Sequence, residues 1–232
     1  MINLVIGMGE VGQGVFDVLR GAYMTLCRDR EPVVIGQKID ALHIAIPWSE
    51  GFEEAVKGYQ KLYSEPLTII YSTVPIGTCE RLGAVHSPIE GKHPAIGLSI
   101  QNMARWLGTS DKKKMAMAEK LWGKIVPVRK VPKADHTEFL KLQSTSLYGI
   151  NIAWQDYCDK VCKELNLDFA AVKQFNLDYN EMYKRMGMLQ FQRYILDPPN
   201  GKIGGHCVVP NAELLDEQYP SEFLKMIKEM RS

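Results

Sequence analysis

The sequence predicts an α/β protein, with an abbreviated domain that holds a mostly parallel sheet followed by a helical domain built on one long helix. Short apolar runs have the length and composition of strands, and they lie at residues 3–6, 23–27, 41–47, 67–72 and 83–86. Helical patterns separate several of these runs, and strands that alternate with helices pair in parallel. After Pro132 an apolar stripe with three- and four-residue steps continues to about Leu165, as in a long helix. We therefore place the domains at residues 1–132 and 133–232.

The composition predicts a cytoplasmic protein that binds small molecules. The 232 residues carry 28 basic and 27 acidic side chains, so the net charge of +1 gives no reason to expect a nucleic-acid or membrane surface. The start of the chain has no pattern of an export signal, and no apolar run approaches the roughly 20 residues that span a bilayer. Five cysteines without a framework spacing favour reduced thiols over disulfides, and they predict no metal site.

A glycine motif follows the first strand directly and opens the first helix. Its glycines have the spacing that allows a tight turn, a close approach of backbone to a pyrophosphate, and close packing of helix on strand. The motif consists of Gly7, Met8, Gly9, Glu10, Val11 and Gly12. Its place after a strand predicts a Rossmann domain that binds a dinucleotide at the N-terminus of the helix.

The second strand ends near Asp29, seventeen residues after Gly12. A carboxylate there can accept hydrogen bonds from the ribose hydroxyls of the adenosine, which predicts NAD as the cofactor. Arg28 and Arg30 flank this residue and could instead hold the 2′-phosphate of NADP, or all three could form a solvated turn. The chain reaches residues 41–47 within a dozen residues of Asp29, which leaves little room for a second crossover helix and makes the domain abbreviated.

Four further motifs follow the glycine loop in a fixed order. They are Ile44-Ala-Ile-Pro47, Ser72-Thr-Val-Pro-Ile-Gly-Thr78, Glu138-Phe-Leu-Lys141 and Gly204-Gly-His-Cys207. In this order and over nearly the whole chain, they resemble the UDP-glucose/GDP-mannose (nucleotide-sugar) dehydrogenase family. The Gly-Gly-His-Cys form is similar to the UDP-N-acetylmannosamine dehydrogenase branch.

The resemblance implies a role for each motif. Pro47, Ser72 and Thr73 end strands at the carboxyl edge of the sheet, where Rossmann cofactors bind. Lys141 would polarise the reacting oxygen. Cys207 would capture an aldehyde as a thiohemiacetal on the way from a sugar alcohol to an acid. It lies beside His206 in a glycine-rich loop, whose backbone amides together with a nearby lysine ammonium would favour a reactive thiolate.

The sequence departs from the family pattern at three positions and in its length. Thr145 stands where the family has asparagine, on the same helix face as Lys141, and Asn211 stands where it has aspartate. Both would complete the oxygen-binding pocket, but an amide cannot act as a base. Ile89 interrupts a Ser-Pro-Glu motif, and Glu90 is a candidate for its carboxylate. The family's third, UDP-binding domain is expected to be absent.

Two other functions remain open, and the long helix predicts an assembly. A non-catalytic NAD- or sugar-nucleotide-binding protein would explain the changes at Thr145 and Asn211. An enzyme similar to the 3-hydroxyacid dehydrogenases would need Lys141 but not Cys207. The helix carries Trp154 and Tyr157 as part of more apolar surface than one small domain can cover, which predicts a homodimer.

Overall fold

A seven-stranded sheet forms the centre of the first of two units in the chain. The computed structural model describes residues 1–29, 36–91, 94–199, 201–204 and 207–230. These residues divide into one unit at Met1–Lys141 and another at Leu142–Ser232. The assignment of residues 1–132 and 133–232 to functional domains stays a prediction.

The sheet confirms the predicted α/β class. Its strands are β1 (Ile2–Ile6), β2 (Met24–Arg28), β3 (Ala41–Ile44), β4 (Leu67–Ile70), β5 (Val85–His86), β6 (Arg105–Gly108) and β7 (Val128–Val131). They lie in the order β2-β1-β3-β4-β5-β6-β7. All neighbours pair in parallel except β5 and β6, which are antiparallel.

The helices of the first unit pack on both faces of this sheet. They are α1 (Glu10–Arg20), α2 (Phe52–Leu62), α3 (Thr78–Arg81), α4 (Ile96–Asn102) and α5 (Lys112–Trp122). Consecutive strand residues face opposite sides: Val5 belongs to a core with Val15 and Trp122, whereas Leu4 belongs to a core with Phe52. Because both faces are covered, the residues of β1, β3 and β4 are buried on both sides of the sheet, apart from the half-buried first residue of β1.

The strand order places a topological switch point between β1 and β3. The chain goes from β1 to β2 on one side and then returns to β3 on the other side of β1. Ligands of open α/β sheets bind at the carboxyl ends of strands at such a point. Among the described residues only β2 lies outside β1, where a full dinucleotide fold has two strands. The described part of the sheet is therefore abbreviated in the predicted way.

Helices make up the second unit. The predicted long helix is α6 (Ala134–Glu164), which begins in the first unit, continues into the second and is about 46 Å long. It is followed by α7 (Phe169–Arg185), a 3₁₀ turn (Leu189–Phe191), α8 (Val208–Gln218) and α9 (Glu222–Glu229). Gly149 of α6 allows close packing here, since a Cβ atom would lie 2.7 Å from Val208 Cγ1 and 2.9 Å from Ile227 Cδ1.

Several predicted elements differ from the structure. The strand predicted over 41–47 ends at Ile44, and the sequence did not predict α4, β6, β7 or α8. The carboxylate of Glu138 in α6 accepts hydrogen bonds from the amides of Gly77 and Cys79. The amide of Ala134, at the start of α6, donates to Glu80 Oε1 at 2.8 Å. Glu80, which is distant in sequence, therefore binds the start of this helix.

No helix in the described part of the chain is long and apolar enough to cross a membrane.

Candidate active site

The glycine loop joins β1 to α1 with a geometry that only glycine allows at two positions. Gly7 has φ +88°, and a Cβ atom there would lie 2.8 Å from Ala45 O. A Cβ atom on Gly12 would lie 1.7 Å from Gly7 O, closer than two nonbonded atoms can approach. These two residues therefore give the tight turn and the close packing of helix on strand that the motif requires.

Gly9 has a different environment from the other two glycines. It precedes α1 as the N-cap residue, and a Cβ atom there would meet no other atom within 4 Å. The amides at the start of α1 lie at the positive end of the helix dipole. The open space at Gly9 together with these amides can accept a pyrophosphate.

Asp29 lies beside the glycine loop. Its Oδ1 accepts a hydrogen bond from Met8 N at 3.2 Å, which fixes the carboxylate at the end of β2 next to the turn. Arg28 points elsewhere, since its Nη1 donates to the Tyr63 hydroxyl at 3.2 Å and its guanidinium lies 5.3 Å from the centre of the Tyr59 ring. Arg30 lies outside the described residues.

The predicted residues at the ends of β3 and β4 are linked to each other. The Ser72 hydroxyl donates to Ile46 O at 2.6 Å, so the segments that follow these two parallel strands are held together. Pro47 is exposed and Thr73 is half-buried at the same edge. This edge adjoins the switch point, so these residues have the position expected of a cofactor contact.

A buried carboxylate holds the turn that follows Thr73. The carboxylate of Glu138 in α6 accepts hydrogen bonds from Gly77 N at 2.6 Å and from Cys79 N at 2.8 Å. Gly77 itself has a φ of +91°. Burial raises the pKa of Glu138, and the hydrogen bonds from Cys79 and Gly77 act in the opposite direction. The glutamate of the Glu-x-x-Lys motif therefore fixes the Pro75–Gly77 turn, one helical turn before Lys141.

Lys141 and Glu90 are in contact. Lys141 Nζ donates to Ile89 O at 2.7 Å and lies 3.4 Å from Glu90 Oε1. Both side chains keep some exposure, 14% for the lysine and 32% for the glutamate. An ammonium group held in this way beside a carboxylate can stabilise an alkoxide and exchange a proton. The extra residue Ile89 thus supplies a carbonyl for Lys141 and places the carboxylate next to it.

His86 is a buried polar residue of this region that the sequence analysis did not identify. Its Nδ1 lies 2.9 Å from the Thr137 hydroxyl and its Nε2 lies 3.3 Å from Ser72 O. Burial lowers the pKa of His86 to about 4, and the charge of Lys141 acts in the same direction. A single histidine in a short strand gives no signal of this kind, because its partners lie 14 and 51 residues away.

In the second unit, Cys207 lies at the N-cap of α8 with an exposed side chain. The N-terminal end of a helix favours negative charge. Asn211 N donates to Cys207 O at 3.0 Å, and Asn211 Nδ2 donates to the Thr145 hydroxyl at 3.1 Å. The Thr145 hydroxyl donates to Leu142 O at 3.1 Å. Thr145 and Asn211, which were predicted separately, therefore form one hydrogen-bonded pair between α6 and the cysteine helix.

The loop that leads to Cys207 is fixed at two points. Gly201 N donates to Asp156 Oδ1 at 2.7 Å, and Ile203 N donates to Met230 O at 2.7 Å. Asp156 is buried and pairs with Lys160 at 2.6 Å. The sequence gives no sign that Asp156 binds this loop, because an acidic residue in a long helix is generally exposed to solvent. Gly205 and His206 of the Gly-Gly-His-Cys motif lie outside the described residues.

Comparison with solved structures shows similarity to dehydrogenases. The UDP-D-ManNAc dehydrogenase of Pyrococcus horikoshii superposes with a TM-score of 0.82 at 17% identity, over 99% of this chain and 68% of that chain. The UDP-glucose dehydrogenase of Pyrobaculum islandicum superposes with a TM-score of 0.74 at 15% identity, over 99% of this chain and 66% of that chain. The 3-hydroxyisobutyrate dehydrogenase of Mycobacterium tuberculosis superposes with a TM-score of 0.70 at 11% identity, over 97% of this chain and 90% of that chain.

No family profile and no curated protein sequence matches the chain. The structural similarity confirms the fold: a Rossmann-like sheet followed by a long helix, shared with dehydrogenases of two kinds.

Proposed function

We propose that this chain is an NAD-dependent dehydrogenase that oxidises the primary alcohol of a sugar carried on a nucleotide. The observation that carries the proposal is the glycine loop, in which Gly12 packs on the Gly7 carbonyl and Asp29 contacts Met8 N. Six features support a dinucleotide here, namely the three glycines, the start of α1, the acid at the end of β2 and the switch point.

NAD fits this site better than NADP. The Asp29 carboxylate would accept hydrogen bonds from two ribose hydroxyls and repel a 2′-phosphate. Arg28 is engaged with Tyr59 and Tyr63, so it does not support a phosphate site beside Asp29. When bound, the nicotinamide supplies the hydride acceptor for the reaction.

The residues of the chain would handle the proton and the carbonyl carbon. Lys141, held by Ile89 O and Glu90, would stabilise the alkoxide as the alcohol loses its proton, and Glu90 would exchange that proton with solvent. Cys207 would then add to the aldehyde: a bond forms between sulfur and carbon, and the carbonyl oxygen takes up a proton to give the thiohemiacetal. The start of α8 would favour the negative charge that develops there.

A nucleotide sugar is the proposed substrate because of the motif order and the structural neighbours. Two of the superposed proteins are UDP-sugar dehydrogenases, and the Gly-Gly-His-Cys motif has the form of the N-acetylhexosamine branch. Thr145 and Asn211 would contact the oxygen of the substrate or of its adduct, since both present polar groups near the start of α8.

An enzyme of the 3-hydroxyacid type is the second candidate. The 3-hydroxyisobutyrate dehydrogenase matches this chain over 90% of its own length, a larger share than for the nucleotide-sugar enzymes. Such a reaction would use Lys141 alone and would not need Cys207. A non-catalytic protein that binds NAD or a sugar nucleotide would instead leave Lys141 and Cys207 without a chemical role.

We also propose that the chain forms a homodimer and works in a reducing compartment such as the cytoplasm. Trp154 and Tyr157 of α6 are 57% and 58% exposed, and α7 has no buried residue although it carries Phe175 and Met182. Exposed apolar side chains of this kind favour a protein–protein interface. The five cysteines are all free, which is the reason for proposing a reducing compartment. Light scattering at micromolar concentration tests the dimer, and a monomer would refute it.

A substrate screen tests the proposed function. The protein is incubated with NAD and either nucleotide sugars or simple 3-hydroxy acids, and NADH formation is followed by absorbance. We expect turnover of a nucleotide sugar that is lost in Lys141→Ala. Turnover of hydroxy acids alone would establish the second candidate. NAD binding without turnover of any alcohol would favour the non-catalytic protein.

A further inference from the structure

His86 lies at the centre of a hydrogen-bonded chain along the carboxyl edge of the sheet. The Ser72 hydroxyl donates to Ile46 O after β3, and Ser72 O lies 3.3 Å from His86 Nε2. On its other side, His86 Nδ1 lies 2.9 Å from the hydroxyl of Thr137 in α6. This series of hydrogen bonds therefore connects the ends of β3 and β4 through β5 to the helix that carries Lys141.

The direction of each hydrogen bond follows from the number of protons. The single proton of the Thr137 hydroxyl can go either to His86 Nδ1 or to Ala134 O, which is 2.8 Å away. A helical carbonyl already accepts the amide four residues later, so Ala134 O does not require this proton. If Thr137 donates to Nδ1, the Nε2–H of a neutral imidazole donates to Ser72 O. Both ring nitrogens then have a partner of the correct kind.

The contacts of His86 connect two elements with different proposed tasks. Ser72 and Thr73 follow β4 at the edge proposed for the cofactor, and Thr137 lies four residues before Lys141 on α6. Residues four apart lie one above the other on a helix. A shift of the first turn of α6 would therefore move Lys141 away from Ile89 O and Glu90, which hold its ammonium group.

We propose that His86 is a positioning residue, which holds the cofactor edge at Ser72 in register with the turn of α6 that carries Lys141. This inference rests on the proposed dehydrogenase function for its effect on turnover. Its structural part, the dependence of the Lys141 environment on His86, holds without that function. His86 itself is buried and has no route to a substrate, so it acts only through Ser72 and Thr137.

Two conservative variants separate the two contacts. The amide oxygen of an asparagine can take the position of the histidine Nδ1 and accept from Thr137, and the amide nitrogen of a glutamine can take the position of Nε2 and donate to Ser72 O. His86→Asn therefore keeps a polar contact with Thr137 and loses Ser72, whereas His86→Gln keeps Ser72 and loses Thr137. His86→Phe loses both contacts.

His43 provides a matched control. It is also fully buried in the sheet, with Nδ1 at 2.7 Å from the Tyr71 hydroxyl and Nε2 at 3.1 Å from Asn3 Oδ1. Its partners lie in or next to strands and not in α6. His43→Phe should therefore lower thermal stability in the manner of His86→Phe but leave NAD affinity and Lys141 unchanged.

The experiment combines three measurements on these variants and the wild-type protein. Calorimetry gives the Kd for NAD, steady-state kinetics gives kcat and KM, and mass spectrometry gives the rate at which an amine-acetylating reagent labels Lys141. His86→Asn should bind NAD more weakly, while Lys141 is labelled at the wild-type rate. His86→Gln should bind NAD normally, label faster at Lys141 and lose kcat by on the order of tenfold to a hundredfold.

The outcomes separate this inference from the proposed function. If wild-type protein shows no turnover, the proposed function fails, and the labelling of Lys141 still decides on His86. If Lys141 labelling is the same in His86→Phe, His86→Gln and wild type, His86 does not position the lysine and the inference is wrong. Equal effects of His43→Phe and His86→Phe on labelling would also overturn it, because both would then act through general loss of stability.

Discussion

The side-chain amide of Asn211 donates a hydrogen bond to the hydroxyl of Thr145 at 3.1 Å, and this neutral pair occupies two of the three positions that differ from the family pattern. The Thr145 hydroxyl donates onward to Leu142 O, so its proton is engaged. Neither group can take a proton from water near neutral pH. The pair can bind an oxygen but offers no base for hydrolysis of an acyl group on Cys207.

We therefore expect wild-type protein to accumulate a covalent adduct or to stop at the aldehyde. Replacing Asn211 by aspartate introduces a carboxylate one helical turn after Cys207 and should increase acid formation. Intact mass spectrometry after incubation with nucleotide sugar and NAD measures the adduct in both proteins. The outcome against this idea is wild-type protein that forms acid with a second equivalent of NADH and carries no adduct.

The glycines of the first loop should differ in what their replacement does. A Cβ atom on Gly12 would lie 1.7 Å from Gly7 O, so Gly12→Ala should destabilise the first unit by on the order of 3 kcal/mol or more. Gly9→Ala is the matched control, because a Cβ atom there meets nothing within 4 Å. It should keep the stability of wild type but weaken NAD binding, since its methyl group enters the space proposed for the pyrophosphate. Denaturant unfolding and calorimetry measure the two effects, and normal stability of Gly12→Ala would contradict the described loop.

NAD should bind more tightly than NADP by at least about tenfold, because the Asp29 carboxylate repels a 2′-phosphate. Titration of both cofactors by calorimetry measures the preference, and Asp29→Asn should reduce it by weakening NAD and relieving the repulsion of NADP. Arg28→Ala is the control, since that side chain is directed to Tyr63 and should not affect the preference. Equal or tighter binding of NADP by wild type would show that the arginines and not Asp29 set the choice.

Acid should destabilise the first unit through its buried histidines. Burial lowers the pKa of His43 to about 3, compared with 6.5 for an ordinary histidine. The unfolded chain therefore takes up a proton below pH 6.5 while the folded chain does not, and stability is lost as pH falls. Between pH 6.5 and about pH 5 this amounts to about 2 kcal/mol for one such group.

His43→Gln removes the titrating ring and keeps a polar group near Asn3. The variant should be less stable than wild type at pH 7.5, and the difference should shrink toward pH 5. Denaturant unfolding at several pH values gives the free energies of unfolding. A difference between the two proteins that does not change with pH would mean that His43 has the same pKa in the folded and the unfolded chain.

The sequence predicted the features of the fold that depend on local pattern. The glycine loop, the parallel strands and α6 each follow from spacing within a short stretch, and the structure has all of them. The helix α8 was missed because Val208-Val-Pro210 follows a glycine-rich loop and reads as its continuation. Proline is nevertheless tolerated in the first turn of a helix, where its missing amide has no helical partner.

The site could be predicted only as a set of candidates, because its contacts join distant parts of the chain. Lys141 meets Glu90 across 51 residues, and Glu138 meets Gly77 across 61. Glu138 accepts hydrogen bonds from the amides of the turn that follows Thr73, and no local pattern around Glu138 indicates that contact. No local sequence pattern indicates His86, since its proposed role depends on contacts with Ser72 and Thr137.

Cys207 should be the only cysteine that the chemistry needs. Cys79 and Cys162 are buried, and burial together with the Glu138 charge raises the pKa of Cys79. Burial also raises the pKa of Cys158. Cys27 is exposed but lies in a strand and not at the start of a helix. Cys207 alone combines exposure, a helix N-terminus and the matched motif.

Cys207→Ser should therefore bind NAD as wild type does but lose the covalent adduct and any acid formation, because an alcohol is a far poorer nucleophile than a thiolate near neutral pH. Oxidation of the alcohol to the aldehyde should persist, since Lys141 and Glu90 remain. Cys27→Ser is the control, with turnover like that of wild type. Calorimetry with NAD, together with analysis of aldehyde and acid products, separates binding from chemistry. Should Cys207→Ser still form the covalent adduct or acid, the thiohemiacetal route is wrong, and a hydroxyacid-type reaction centred on Lys141 becomes the better explanation.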